Sequence, residues 1–156
     1  ILNYYAARSI DPTDKMKYIN ARVPKTEVIF NEMNINWKEE LVLVEGPFDL
    51  TKCTDNSTCL LGSHLSHDSV LFKNIVKNKT PIILALDPDA IKKSHEIANS
   101  LFSYDVSVKL MRVPPGKDVG DMTKEEFVSY KNSATVWNKN DRLINLIGNV
   151  RSGSLI

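Results

Sequence analysis

Two short apolar segments, each followed at once by acidic residues, constrain the fold of this 156-residue chain more than any other feature. The first, residues 41–44, leads into Glu-Gly-Pro-Phe-Asp at 45–49, and the second, residues 82–86, leads into Asp-Pro-Asp at 87–89. Short, continuously apolar runs are typical of strands buried on both faces, as in parallel sheets. Because parallel strands end at a common edge, the pattern predicts an α/β fold with an acidic crevice at that edge.

Four carboxylates determine the chemistry expected in this crevice: Glu45, Asp49, Asp87 and Asp89. Clustered carboxylates repel one another and raise each other's pKa values unless a cation neutralises them. Oxygen ligands without a nearby histidine favour Mg²⁺ or Mn²⁺ over zinc, and such ions serve nucleotidyl transfer and phosphodiester hydrolysis. Either motif alone also fits a helix cap or a first helical turn. The pairing of the two motifs therefore predicts the metal site.

The two motifs resemble those of the Toprim domain of primases, topoisomerases and some nucleases, and the resemblance covers roughly residues 39–130. Residues 113–121 resemble the Pro-x-Gly-Lys-Asp-Pro-x-Asp segment of bacterial-type primases. In that family an aspartate of this segment joins the acidic cluster, which implies the same role for Asp118. The family often has glycine three places after its Asp-x-Asp, where this chain has Lys92. Two interpretations of Lys92 and Lys93 are open: they neutralise phosphate or the acidic crevice, or they belong to a solvated helix face, which is the favoured interpretation.

The first 26 residues point to one Toprim family. Residues 4–10 and 15–20 flank a turn and predict a β-hairpin, and five cationic against two acidic side chains give residues 1–26 a net charge of +3. Lys-Tyr-Ile-Asn at 17–20 resembles a segment that precedes Toprim in bacterial-type primases. The resemblance implies that Arg8 and Lys17 bind nucleotide or template. Without it, an ordinary ribbon with solvated charges is the simpler interpretation.

The composition limits other classes of function. A net charge of +1 gives no global field for nucleic acid, so any such binding depends on local charge asymmetry. No apolar run approaches the ~18 residues of a membrane span and no leader opens the sequence, so we expect a cytoplasmic protein without a membrane partner. A zinc site at Cys53, Cys59, His64 and His67 is disfavoured by the five-residue gap between the cysteines.

Strand and helix signals alternate along the chain, as in a parallel sheet covered by helices. We predict strands at 28–30, 41–44, 58–62, 82–86 and 106–111, and helices at 48–53, 65–77, 91–102, from a Thr123 cap to about Lys131, and at 141–147. The expected organisation is a basic hairpin segment over 1–38, a Toprim domain over 39–131, and a tail or helical extension over 132–156.

The resemblance implies a fragment of a bacterial or phage-type DNA primase core, which makes short RNA primers on single-stranded DNA by metal-dependent nucleotidyl transfer. Glu45 would be its most critical residue. The implied partners are the DNA template, ribonucleoside triphosphates and a replicative helicase, and the implied cofactor is Mg²⁺ or Mn²⁺. Two alternatives remain open: a Toprim nuclease using the same metals, and a catalytically silent Toprim module that binds DNA.

Overall fold

A computed structural model describes residues 4–54, 56–62 and 64–152 of the chain. A two-stranded hairpin, β1 (Ala6–Arg8) and β2 (Tyr18–Asn20), comes first. The strands of the main sheet are β3 (Leu41–Val44), β4 (Ser57–Cys59), β5 (Ile82–Ala85), β6 (Val108–Leu110) and β7 (Thr135–Val136). The helices are α1 (Val70–Asn78), α2 (Ile91–Phe102), α3 (Lys124–Asn132) and α4 (Lys139–Arg151).

The main sheet has the strand order β4-β3-β5-β6-β7. Its first four strands are parallel, and only the edge strand β7 runs antiparallel to its neighbour. The parallel strands β3 and β5 lie side by side at the centre of the sheet, as the two apolar segments indicated. The predicted class, a mainly parallel sheet flanked by helices and preceded by a hairpin, is confirmed.

Both faces of the central strands are buried, which explains why these strands are apolar throughout. Leu41 and Leu43 project into one cluster, which also contains the buried sides of α1 and α2. Val42 and Val44 project into a second cluster on the opposite face, which contains Phe127 of α3. With a covered layer on each side, polar residues are excluded from the strands and appear only where the strands end.

The helix boundaries follow local signals. At α3 the Thr123 side chain accepts a hydrogen bond from the Glu126 backbone N–H, and the Glu126 side chain accepts one from the Thr123 N–H, which forms a capping box. The predicted start at Thr123 is thus confirmed. The helix predicted over 91–102 is found as α2 with those bounds. Helix α1 begins only at Val70, because the Ser69 side chain caps it by accepting from Phe72 N–H.

Some predicted elements were wrong. No strand forms at 28–30: Ile29 is buried in the core but the segment has no strand partner. The helix predicted at 48–53 is a single 3₁₀ turn, Asp49–Thr51. The strand expected at 58–62 ends at Cys59, and Leu61 adopts a left-handed conformation with φ of 55°. Ile29 and Leu61 are buried without belonging to a strand or helix, so an apolar residue at such a position indicates burial and not a regular element.

Residues 132–152 contribute more structure than the sequence indicated. Strand β7 extends the sheet, the Trp137 side chain enters the core, and α4 runs well beyond the predicted residues 141–147. The division into a hairpin segment, a Toprim domain and a tail stays a prediction. None of the helices in the described part of the chain is both long and apolar enough to cross a membrane.

Candidate active site

The register of the central strands brings the two acidic motifs to one edge of the sheet. Val44 pairs with Ala85 in parallel register, so the residues that follow the two strands leave the sheet at the same level. Strand β6 is in parallel register with β5 and sends the segment that contains Asp118 toward the same edge. The edge predicted from the two apolar segments is therefore formed.

Asp49 is held at this edge by the turn that follows β3. The Gly46 N–H donates to Asp49 Oδ2 at 2.8 Å. Burial raises the pKa of Asp49, and the charges of Asp118 and Glu45 raise it further, whereas the Gly46 hydrogen bond and the Arg8 charge lower it. Asp49 thus experiences both of these neighbouring carboxylates and one cation of the hairpin.

Asp118 lies in the segment that follows β6, which is on the opposite side of β5 from β3. Its Oδ1 accepts a hydrogen bond from Asp121 N–H at 2.8 Å, which fixes the carboxylate at the start of the 3₁₀ turn Val119–Asp121. A Cβ on Gly120 would lie 3.1 Å from Asp118 Oδ1 and 3.2 Å from Asp49 Oδ1. The absence of a side chain at Gly120 therefore lets two carboxylates approach the same stretch of backbone.

Asp87 is the electrostatic centre of the cluster. Its pKa is raised to about 6, first by burial and then by the charges of Asp49, Glu45, Asp118 and Asp89, in that order. The other four predicted metal ligands therefore all act on Asp87. The remaining member, Asp89, lies in the 3₁₀ turn Pro88–Ala90, which leads directly into α2. We refer to these five residues as the acidic cluster.

Glu45 has a cationic partner, Lys93, for which the sequence analysis favoured a solvated position over a place beside the carboxylates. Lys93 Nζ lies 2.7 Å from Glu45 Oε1, and the lysine side chain is only 16% exposed. The interpretation of Lys93 as a solvated residue was therefore wrong, whereas Lys92 is exposed as expected. The available signal was the position of Lys93 in the first turn of the helix that follows the Asp-Pro-Asp segment, next to the predicted acidic edge.

The chemistry of the donors fits a hard divalent cation. All five side chains offer carboxylate oxygens, and among the described residues only Glu45 of this set has a basic side chain within 4.0 Å. Burial and four neighbouring negative charges raise the pKa of Asp87, and a divalent cation would favour its ionised form against both. Across residues 4–54, 56–62 and 64–152, no three acidic, histidine or cysteine side chains are yet grouped around one point. The ligand type and the negative charge of the acidic side chains therefore fit a divalent metal, but the side chains are not arranged around a single metal position.

The basic hairpin lies against the acidic cluster, and Arg8 is the residue that joins them. The Tyr18 ring of β2 lies 6.0 Å from the Phe48 ring, which precedes Asp49 in the chain. The Arg8 guanidinium lies 5.5 Å from the centre of the Tyr18 ring, and its charge lowers the pKa of Asp49. Arg8 thus lies near enough to the acidic cluster for its charge to act on Asp49, and its role in phosphate binding stays a prediction.

Lys17 occupies a different position from Arg8. Its backbone carbonyl accepts a hydrogen bond from Ser9 N–H at 2.9 Å, which closes the hairpin, and its side chain is exposed. In the described part of the chain the Lys17 side chain makes no contact with the acidic cluster. The two predicted phosphate-binding residues are therefore on one hairpin, and of the two it is Arg8 whose charge lowers the pKa of Asp49.

A cleft between the sheet, α2 and α4 adjoins the acidic cluster. It shares Asp87 with the cluster and is walled largely by apolar side chains such as Ile91, Met111 and Val113. His95 and Arg112 supply polar positions in its lining. This apolar wall explains why burial makes the largest contribution to the raised pKa of Asp87.

Several solved structures share this architecture. A crystal structure of the Aquifex aeolicus primase, comprising its zinc-binding and RNA polymerase domains, matches 86% of this chain with a TM-score of 0.66 and 23% identity. The DnaG catalytic core matches 85% with a TM-score of 0.66 and 16% identity. The chain has the fold of a DnaG-type primase core. The RNA polymerase domain of Mycobacterium tuberculosis primase DnaG matches 85% with a TM-score of 0.55 and 14% identity.

The likeness to primase cores lies in the structure, at low sequence identity. No protein-family model and no curated protein matches the sequence. The chain corresponds to 37% of the Aquifex structure, 49% of the DnaG core and 51% of the Mycobacterium domain. It therefore spans about half or less of the primase structures that it matches.

Proposed function

We propose that this chain is part of a DNA primase and that its acidic cluster serves metal-dependent nucleotidyl transfer, the synthesis of short RNA primers on single-stranded DNA. The observation that carries the proposal is the electrostatic convergence of five carboxylates at the strand ends, with Arg8 beside them. A nucleotide polymerase needs these two parts together, because negatively charged phosphates must approach a negatively charged metal site. The primase-type fold supports this choice among Toprim reactions.

Each part of the site has a chemical role in this proposal. The acidic cluster would hold Mg²⁺ or Mn²⁺, with Glu45 the most critical ligand. When bound, the metal lowers the pKa of the attacking 3′-hydroxyl and neutralises charge on the departing pyrophosphate. Arg8 and Lys17 would hold phosphates of the template or of the incoming ribonucleoside triphosphate. No side-chain nucleophile is needed, because the sugar hydroxyl itself attacks the phosphate.

The partners follow from the same proposal. Single-stranded DNA and ribonucleoside triphosphates are the substrates, and a replicative helicase is the expected protein partner. Lys17, exposed at the end of the hairpin and away from the carboxylates, is suited to backbone phosphates outside the metal site. Because the chain spans half or less of the matched primases, we expect full activity only with the neighbouring domains in place.

Primer synthesis tests the proposal directly. The protein, joined to any neighbouring domains, is incubated with single-stranded DNA, Mg²⁺ or Mn²⁺ and labelled ribonucleotides. We expect short RNA products from the native protein and none from Glu45→Gln, which removes one charge at nearly constant volume. Glu39→Gln, an exposed position outside the acidic cluster, should retain activity.

The alternatives predict other products in the same assay. Metal-dependent cleavage of DNA or RNA, lost in Glu45→Gln, would favour a Toprim nuclease. DNA binding without synthesis or cleavage would favour a silent module, although keeping five repelling carboxylates together is costly for a protein that does not use them. Normal primer synthesis by a natively folded Glu45→Gln protein would remove Glu45 from the mechanism.

A further inference from the structure

We propose that Lys93 is a built-in counter-ion which competes with the divalent metal for Glu45, so that metal binding exchanges an ammonium group for a metal ion. The inference rests on the proposed function, because it needs a metal at the acidic cluster. It assigns Lys93 a positioning role, since the residue acts through Glu45. The starting observation is the contact of 2.7 Å between Lys93 Nζ and Glu45 Oε1.

The fold holds this ion pair in place. Glu45 directly follows β3, and Lys93 is the third residue of α2, which begins just after the Asp87-Pro88-Asp89 segment. The Glu45 side chain is 37% exposed and that of Lys93 only 16%. The pair is therefore partly shielded from salt and water, which makes its attraction stronger than that of a fully exposed ion pair.

Helix stability does not explain a lysine at this position. The N-terminal turn of a helix carries partial positive charge, so a cation there is disfavoured. Helices α3 and α4 also begin with a lysine, but their first turns contain acidic residues that offset it, including Glu125 in one and Asp141 in the other. The first turn of α2 contains no acidic residue. In α2 the unfavourable charge of Lys93 is offset by Glu45. The placement is therefore explained by the acidic cluster rather than by the helix.

The contact also occupies one oxygen of Glu45 in an acidic cluster that is not closed around one point. Glu45 acts on Asp49 and Asp87 through its charge, yet no three carboxylates are grouped around one point among the described residues. The ammonium group occupies one oxygen of Glu45, and its positive charge repels a dication that approaches either oxygen. For a metal to take both oxygens of Glu45, Lys93 must give up Oε1, and a metal on Oε2 alone still meets this repulsion. Lys93 thereby neutralises the site before the metal arrives.

The test compares two neighbouring lysines by calorimetric titration of the chain with Mn²⁺. Lys93→Met removes the competing charge but keeps the apolar stem, and we expect it to bind Mn²⁺ about three- to tenfold more tightly than the native chain. Lys92→Met removes the same charge from an exposed position and should change the affinity less than about twofold. Lys93→Arg keeps the cation and should remain close to the native affinity.

Melting experiments supply a second readout. In EDTA, Lys93→Met should melt below the native protein, because the acidic cluster has lost its counter-ion, and saturating Mn²⁺ should remove the difference. Should Lys93→Met fail to fold, Lys93→Gln replaces it in both measurements. Equal or weaker Mn²⁺ binding by the Lys93 variant, with clear binding by the native chain, overturns the inference alone. Absence of binding in every protein overturns the metal site itself and the inference with it.

Discussion

Replacing Asp87 with asparagine should stabilise the metal-free protein at neutral pH. The folded protein holds the pKa of Asp87 at about 6, against 3.8 for the unperturbed group. Between those values the folded state binds a proton that the unfolded state has lost, so stability falls as the pH rises through this window. Above about pH 7 the full penalty of an ionised Asp87 is present, and Asp87→Asn removes it.

The magnitude follows from the size of the shift. A displacement of about two pKa units corresponds to at most about 3 kcal/mol, at ~1.36 kcal/mol per unit. Asp87 is partly exposed, and solvent screening reduces this figure to about 1 kcal/mol. For a domain of this size that stabilisation raises the Tm by roughly 2–4 °C.

Thermal melts in EDTA at pH 4 and pH 7.5 measure the effect. Asp87→Asn should melt above the native protein at pH 7.5 and close to it at pH 4. With saturating Mn²⁺ the order should reverse, because the variant has lost a metal ligand. Asp105→Asn, at a side chain that is 95% exposed, is the control and should show neither difference. An Asp87→Asn protein that is less stable than native in EDTA at pH 7.5 would refute the repulsion inferred at the acidic cluster.

Three further predictions concern other parts of the molecule. Replacing both Arg8 and Lys17 with alanine should weaken single-stranded DNA binding and make it less dependent on salt concentration, as measured by fluorescence anisotropy. Mn²⁺ binding should persist, and an unchanged DNA affinity would contradict the role of the hairpin. Gly120→Ala should weaken Mn²⁺ binding in calorimetry because its methyl group meets two carboxylate oxygens, whereas Gly148→Ala, with open space around it, should not. Thr123→Ala should lower the free energy of unfolding by about 1 kcal/mol in urea titrations through loss of the capping box, and no change would show that the cap contributes little.

Local patterns in the sequence were sufficient to predict the central strands of the sheet and the boundaries of two helices. Continuous apolar residues predicted the central strands β3 and β5, because only a strand covered on both faces excludes polar side chains. The bounds of α2 and the start of α3 followed from periodicity and capping, which involve residues within about one helical turn. The convergence of the acidic motifs followed from the parallel direction of the strands.

Only the tertiary structure decided how the site is completed. The hydrogen bond between Lys93 and Glu45 spans 48 residues. The close approach of the Asp49 carboxylate to the backbone at Gly120 brings together two turns that follow separate strands. The edge strand β7 forms because β6 offers it a free edge, and its exposed Thr135 and Val136 carry little pattern of their own. Local sequence determines which residues favour a strand or a helix. Contacts between residues distant in the chain are determined by tertiary packing. Those side chains meet only after the sheet and the layers on its two faces have packed together.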